Sequence, residues 1–296
     1  MVKHLPPAIK HLLTLRNPNV LPSPPLAKLQ ALFDRTSRDA KLRNAETGWL
    51  VLTTCTLLSA NRPASLGHLY RFVTTPNTND PASRFNVAHA VNKAALMRES
   101  ALKSAIFVGV PRVILSLAAL HEALDDDVKK SLRTQSRRLT TPGNVESTIV
   151  RGQALWNSIY APHADKLRDK LAAYHPDFIS FIIQSYGSVL SPLPGGTKAF
   201  ADASSLDDPD QGNLSRALGS VVGIAALRAE GRVGPQLISH TFGLLKARNV
   251  EGLSPEDAWL ASDEGTEWVL RTVDEILDVV GASELGGREA DCKVKL

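Results

Sequence analysis

Two histidines, His68 and His240, each stand five residues after a proline, Pro63 and Pro235, in what reads as a helical hairpin written twice in the chain. Imidazole titrates close to neutrality, so a histidine held at the end of a packed hairpin is a natural candidate for proton transfer. It is equally a candidate for a structural hydrogen-bonding group with no chemistry. The hairpins span Gly48 to Val73 and Gly219 to Leu245. Gly48 precedes His68 by 20 residues and Gly219 precedes His240 by 21, which sets the copies 171 to 172 residues apart. A repeat at that spacing points to duplication. Gly109 and Gly281 extend the register more loosely: each follows its histidine by 41 residues and closes an apolar run, but Ser283 stands where the first copy has Pro111.

The elements that position these residues read as helices throughout. Leu26 to Phe33 and Asp39 to Ala60 carry helical spacing, and Pro63 is placed as a first helical residue after the Asn61-Arg62 break. A Thr-, Asn- and Pro-rich loop (Thr74 to Ser83) leads to a long pattern from Val87 to Leu124, kinked at Gly109-Val110-Pro111. Further helices are expected at Val145 to Ile159, Ala164 to Tyr174, Asp177 to Val189, Leu214 to Glu230, Gln236 to Arg248 and Trp268 to Val280, with a surface loop at Ser191 to Gly212. Ser254-Pro255-Glu256-Asp257 opens another helix with a cap, a proline and two acids. No region alternates with period two, so the expected fold is all-α. The expected organisation is a Pro-rich arm (1–33), a first unit (34–128), a linker (129–144), a second unit (145–281) and a flexible tail (282–296).

Composition narrows the function classes. The chain has 296 residues, 43% hydrophobic and 22% charged, the balance of a globular protein with a real core. No run approaches the ~18 apolar residues that cross a bilayer. A net charge of +4 with no basic run interleaved with aromatics argues against nucleic acid. Cys55 and Cys292 form no disulfide framework or thiolate metal site, which suits a reducing, intracellular setting with the cytoplasm first in line. The first 33 residues hold Lys3, Lys10, Arg16 and Lys28 and no acid, the bias of a mitochondrial presequence, though Pro6, Pro7, Pro18, Pro22, Pro24 and Pro25 oppose its helix. Val294-Lys295-Leu296 is a weak echo of the peroxisomal signal.

The second half carries a run of Arg151-Gly152, Trp156, Ile159-Tyr160, His175-Pro176-Asp177-Phe178, Tyr186-Gly187, Leu214-Ser215-Arg216, Ala225-Ala226-Leu227 and His240. In order and spacing this run resembles the carboxymuconolactone decarboxylase family and its AhpD-like alkylhydroperoxidase relatives. Phe107-Val108-Gly109-Val110-Pro111 is similar to the aromatic-x-Gly-x-Pro element that follows the histidine there. The resemblance implies an all-α helical hairpin packed on a counterpart, here as an internal pseudo-dimer. The peroxidase branch uses Cys-x-x-Cys-x-x-x-His, but those cysteine positions hold Val233 and Gln236, and Asn61 and Ala64. Vicinal thiol chemistry is therefore not available to this chain. The family's upstream glutamate has no clear equivalent either.

The resemblance to the decarboxylase branch implies acid-base chemistry on a small unsaturated lactone acid, without a cofactor. His240 is then the first candidate for the proton-transfer group and His68 the second. Arg216 and Arg112 are candidates to hold a substrate carboxylate in a bidentate grip, with ion pairing as the bland alternative. Trp156 and Tyr186 fall at helical spacings as core residues whose faces can also line a pocket. Asp125 to Asp127 reads as a solvated helix end rather than a metal site, and no metal is expected. Two functions of different class remain: a cofactor-free lyase or isomerase on a small carboxylated or enolisable compound, and a non-catalytic AhpD-like scaffold binding a ligand or partner. A small-molecule ligand and a homo-oligomer fit either; nucleic acid and membrane fit neither.

Overall fold

A computed structural model describes residues 4–16, 19–76, 85–193 and 211–281, and every element among them is helical. The tail beyond residue 281, with Cys292, and most of the expected loop at 191–212 lie outside the described residues. The helices are α1 (Pro7–Leu12), α2 (Leu26–Leu42), α3 (Glu46–Ser59), α4 (Pro63–Thr74), α5 (Val87–Val108), α6 (Val110–Ala123) and α7 (Asp126–Ser131). They continue as α8 (Val145–Tyr160), α9 (Ala164–Tyr174), α10 (Phe178–Ser185), α11 (Arg216–Glu230), α12 (Gly234–Lys246), α13 (Pro255–Leu260) and α14 (Asp263–Val280). A π-helical turn, Tyr186–Leu190, prolongs α10. No helix among the described residues is long and apolar enough to cross a membrane.

The main core is built around α3 and α11, which are buried on all sides and pack on each other. α5 and α14 each pack on both of them. The hairpin partners lie outside this centre: α4 is covered by α6 and α2, and α12 by α8. α2 shows why its residues choose this site, since Leu29, Leu32, Phe33, Thr36 and Ala40 recur on one helical face and are all buried. The expected arm thus ends in a structural helix from Leu26. The expected continuous segment from Asp39 to Ala60 is two helices, because Asn44 takes a left-handed φ of 53° between them. Asparagine tolerates that conformation and ends a helix there. The expected linker also touches the core: Leu132, just after α7, is buried. A second core of Leu155, Trp156, Ile159, Ile183, Tyr186 and Leu190 belongs to α8, α10 and the π-turn.

The two hairpin turns have matching backbones. Asn61 and Arg232 have φ of 55° and 58°, and the next residues, Arg62 and Val233, lie at φ −112°, ψ 62° and φ −116°, ψ 42°. Pro63 is the first residue of α4 and Pro235 the second of α12, where a missing N–H costs nothing. The looser pair diverges: Gly109 is at φ 83°, ψ 160°, whereas Gly281 is left-handed at φ 73°, ψ 25°.

Candidate functional site

His240 sits on α12 with its ring against α11, and two glycines make that approach feasible. A Cβ at Gly223 would lie 2.8 Å from His240 Nδ1 and 3.2 Å from Phe107, so only a bare backbone admits the ring there. A Cβ at Gly243 would press on Ile159 at 3.3 Å, which fixes how closely α12 approaches α8. Two aromatic rings meet the imidazole edge-on, Phe107 at 5.0 Å and Tyr160 at 6.4 Å between centroids. Tyr160 Oη and Tyr186 Oη share a hydrogen bond of 3.1 Å, and Trp156 stacks on Tyr160 at 4.2 Å. Behind them α8 crosses the π-turn backbone to backbone: a Cβ at Gly152 would lie 2.0 Å from the Ile183 carbonyl oxygen, and one at Gly187 1.8 Å from that of Thr148. The Arg151-Gly152 and Tyr186-Gly187 pairs are thus explained by helix crossing.

Arg216 opens α11 beneath the imidazole. Its guanidinium donates from Nε to Ser158 Oγ at 3.1 Å and from Nη2 to the Gly243 carbonyl at 3.1 Å, while Nη1 donates to Ser220 Oγ. It therefore clamps α11 to α8 and α12, and burial lowers its pKa to about 10, which leaves it charged at neutral pH. Burial, with the Arg216 charge adding to it, lowers His240 to about 4. Its imidazole is neutral at pH 7, and none of the described residues hydrogen-bonds the ring. The void that His240 shares with Arg216, Ser220, Leu155 and Leu190 measures about 10 Å³. That is room for about one water molecule.

The other expected site residues lie elsewhere or serve otherwise. His68 is half-buried on α4 and takes no part in the group around His240; burial and then the Arg71 charge depress its pKa. Arg112 pairs with Glu230 and donates to the Ser59 carbonyl at 2.8 Å, joining the C-terminal ends of α3 and α11. Trp156 donates from Nε1 to the Ala164 carbonyl at 3.2 Å and is buried, as is Tyr186, whose pKa burial raises well above the ordinary tyrosine value. Cys55 is enclosed in α3, and burial pushes its thiol up to about 12, far from a reactive thiolate.

The large opening in this half lies one helix turn away, outside the expected residues. A pocket of about 500 Å³ is formed by α8, α9 and α12. Its apolar wall is Ile159, Tyr160, Leu167, Ile238 and Phe242; its cationic lining is Lys166, Lys170 and Lys246, with His163 beside them. Among the described residues no carboxylate lines it. Lys246 Nζ donates to the Ile159 and Ala161 carbonyls at 2.6 and 2.7 Å, capping α8, whereas Lys166 and Lys170 are exposed one turn apart on α9. The sequence signal was available: Ile238 and Phe242 are an exposed apolar i, i+4 pair facing a basic i, i+4 pair.

Comparison with protein-family models, curated proteins and solved structures finds no match to this chain. The functional reading therefore stands on residues and geometry.

Proposed function

We propose that this chain is a tandem carboxymuconolactone decarboxylase-like, AhpD-like scaffold that binds a small anionic molecule with an apolar body, and that His240 is a packing residue of it. The observation that carries this reading is the contrast in space: about 10 Å³ at His240 against about 500 Å³ in the basic-rimmed pocket beside it. A pocket of that volume suits a small ligand, and a lining that carries lysines but no carboxylate among the described residues favours an anion. The reading of α3/α4 and α11/α12 as an internal pseudo-dimer is supported by the matched turns and by the way α5 and α14 each bridge α3 and α11. Thiol-dependent peroxide reduction is absent from this account, and a peroxidase assay should be negative.

Calorimetric titration of the full chain with sodium decanoate tests it. Binding should weaken at least about tenfold, a loss of about 1.4 kcal/mol, in the Lys166→Glu/Lys170→Glu double variant. Equal affinity in wild type and variant, or no binding at all, contradicts it.

One observation favours a second reading, a cofactor-free lyase or isomerase: Arg216 and His240 line the same void, so an opened form would present a cation beside an imidazole base. Loss of lactone-acid turnover in His240→Gln with unchanged melting would support that reading; unchanged turnover would remove it.

A further inference from the structure

A second pocket, of about 530 Å³, lies in the first half among α2, α3, α4 and α5, and holds a buried amine. Lys93 on α5 is 7% exposed and lines it together with Glu46 at the start of α3. His89, one turn earlier on α5, lines it too; its Nε2 donates to the Val73 carbonyl at 3.2 Å, which leaves Nδ1 as the lone-pair nitrogen, and its ring rests 4.5 Å from Phe85. Trp49, Phe72 and Phe85 supply an aromatic wall, and Arg38 and Lys41 of α2 stand in the same lining, with Asp34 as the acid among them.

Burial disfavours the charged form of a lysine, and the uncharged amine is the nucleophilic form. Burial lowers Lys93 to about 7, while Glu46 and Glu256 pull it upward. Near neutral pH a far larger share of it is therefore uncharged than of an ordinary lysine. Glu256 is itself committed, accepting from the Gly48 backbone N–H at 2.8 Å, so Glu46 is the carboxylate with a place on the pocket wall.

We propose that this pocket is a carbonyl-capturing site in which Lys93 forms a Schiff base with a small aldehyde or ketone that carries a carboxylate. The Nζ lone pair adds to the carbonyl carbon and the carbonyl π pair moves to oxygen, which takes up a proton. The nitrogen gives up one proton as the carbinolamine forms and its second as the C=N bond forms, and the oxygen, having gained two in all, leaves as water with no change of oxidation state. Glu46 is the group on the wall able to relay the proton, the rings hold the body of the compound, and Arg38 and Lys41 favour its carboxylate. The site is separate from the pocket at α8, α9 and α12, and its test is independent of that one.

The test uses 4-carboxybenzaldehyde with cyanoborohydride, which delivers hydride to the imine carbon and fixes it as a secondary amine. The full chain is labelled at pH 7 and mapped by peptide mass spectrometry. The expected result is an adduct concentrated on Lys93, at least about tenfold over exposed Lys166, with a labelling rate that rises through a midpoint near 7. In Glu46→Gln that midpoint should move lower, because a carboxylate that holds the proton on Lys93 is gone. Labelling spread over exposed lysines with Lys93 blank, no labelling, or an unchanged total adduct in Lys93→Met would overturn the proposal. The wild-type map decides even if a variant fails to fold.

Discussion

The two hairpins share a turn and differ in what lies under the histidine. His240 rests on the bare backbone of Gly223 and is 4% exposed. In the register set by Gly48 and Gly219, the position matching Gly223 is Leu52, fully buried, so a side chain stands where the second hairpin has bare backbone. The same register sets Ala45 opposite Arg216 and Trp49 opposite Ser220. Around its histidine one hairpin therefore has arginine, serine and glycine, whereas the other has alanine, tryptophan and leucine at the matching places. A histidine repeated in sequence is not a site repeated in space; the residue on the facing helix decides.

Making the second hairpin like the first should have the largest effect. Gly223→Leu drives a side chain into the His240 ring, and should cost at least about 3 kcal/mol in a denaturant titration at pH 7. A neutral result would mean that α12 is free to move off α11. The acid limb of stability comes next. His240 is lowered to about 4 from an unfolded value of 6.5, so the unfolded chain binds the proton first as pH falls. Its contribution is intact above pH 6.5 and is lost as pH falls toward 4, about 3 kcal/mol in all. The difference in stability between wild type and His240→Gln should follow that course, and a flat difference between pH 7 and pH 4 would contradict it.

Arg216→Met removes three donated hydrogen bonds, for about 2 kcal/mol, and should raise the His240 pKa because the neighbouring cation is gone. A Tm unchanged by this substitution would show that the clamp is not formed. The smallest effect is expected at Arg112. Its pair with Glu230 is about one-third exposed on both sides, so Arg112→Ala should cost less than about 1 kcal/mol by chemical denaturation. A loss as large as at Arg216 would equate two arginines that the geometry separates.

Much of the helical layout was legible because its punctuation is chemical. Pro63, Gly109, Ser254-Pro255 and Gly231 mark ends that sequence alone can read, and Ser254 Oγ does accept from the Asp257 N–H at 3.1 Å. The break at Asn44 was not legible, since an asparagine in a polar stretch carries a weaker signal than glycine or proline. Placing His240 in a buried, aromatic setting needed the facing helix: nothing near residue 240 announces Gly223. Trp156 and Tyr186 are core, as their helical spacing allowed, and neither lines the void or the neighbouring pocket. Lys93 was hidden for the opposite reason. It stands within an apolar stretch, Ala90-Val91 before it and Ala94 to Met97 after, and a single lysine there reads as a solvated position until α3 packs on α5.

The most direct test of the central claim is an NMR titration of the His240 imidazole nitrogens in the folded full chain. The account predicts a neutral ring that keeps its tautomer from pH 8 down to the approach of pH 4, and that is unmoved by decanoate at pH 7. An imidazole that protonates between pH 6 and 7 would contradict it and return His240 to the role of an acid-base group.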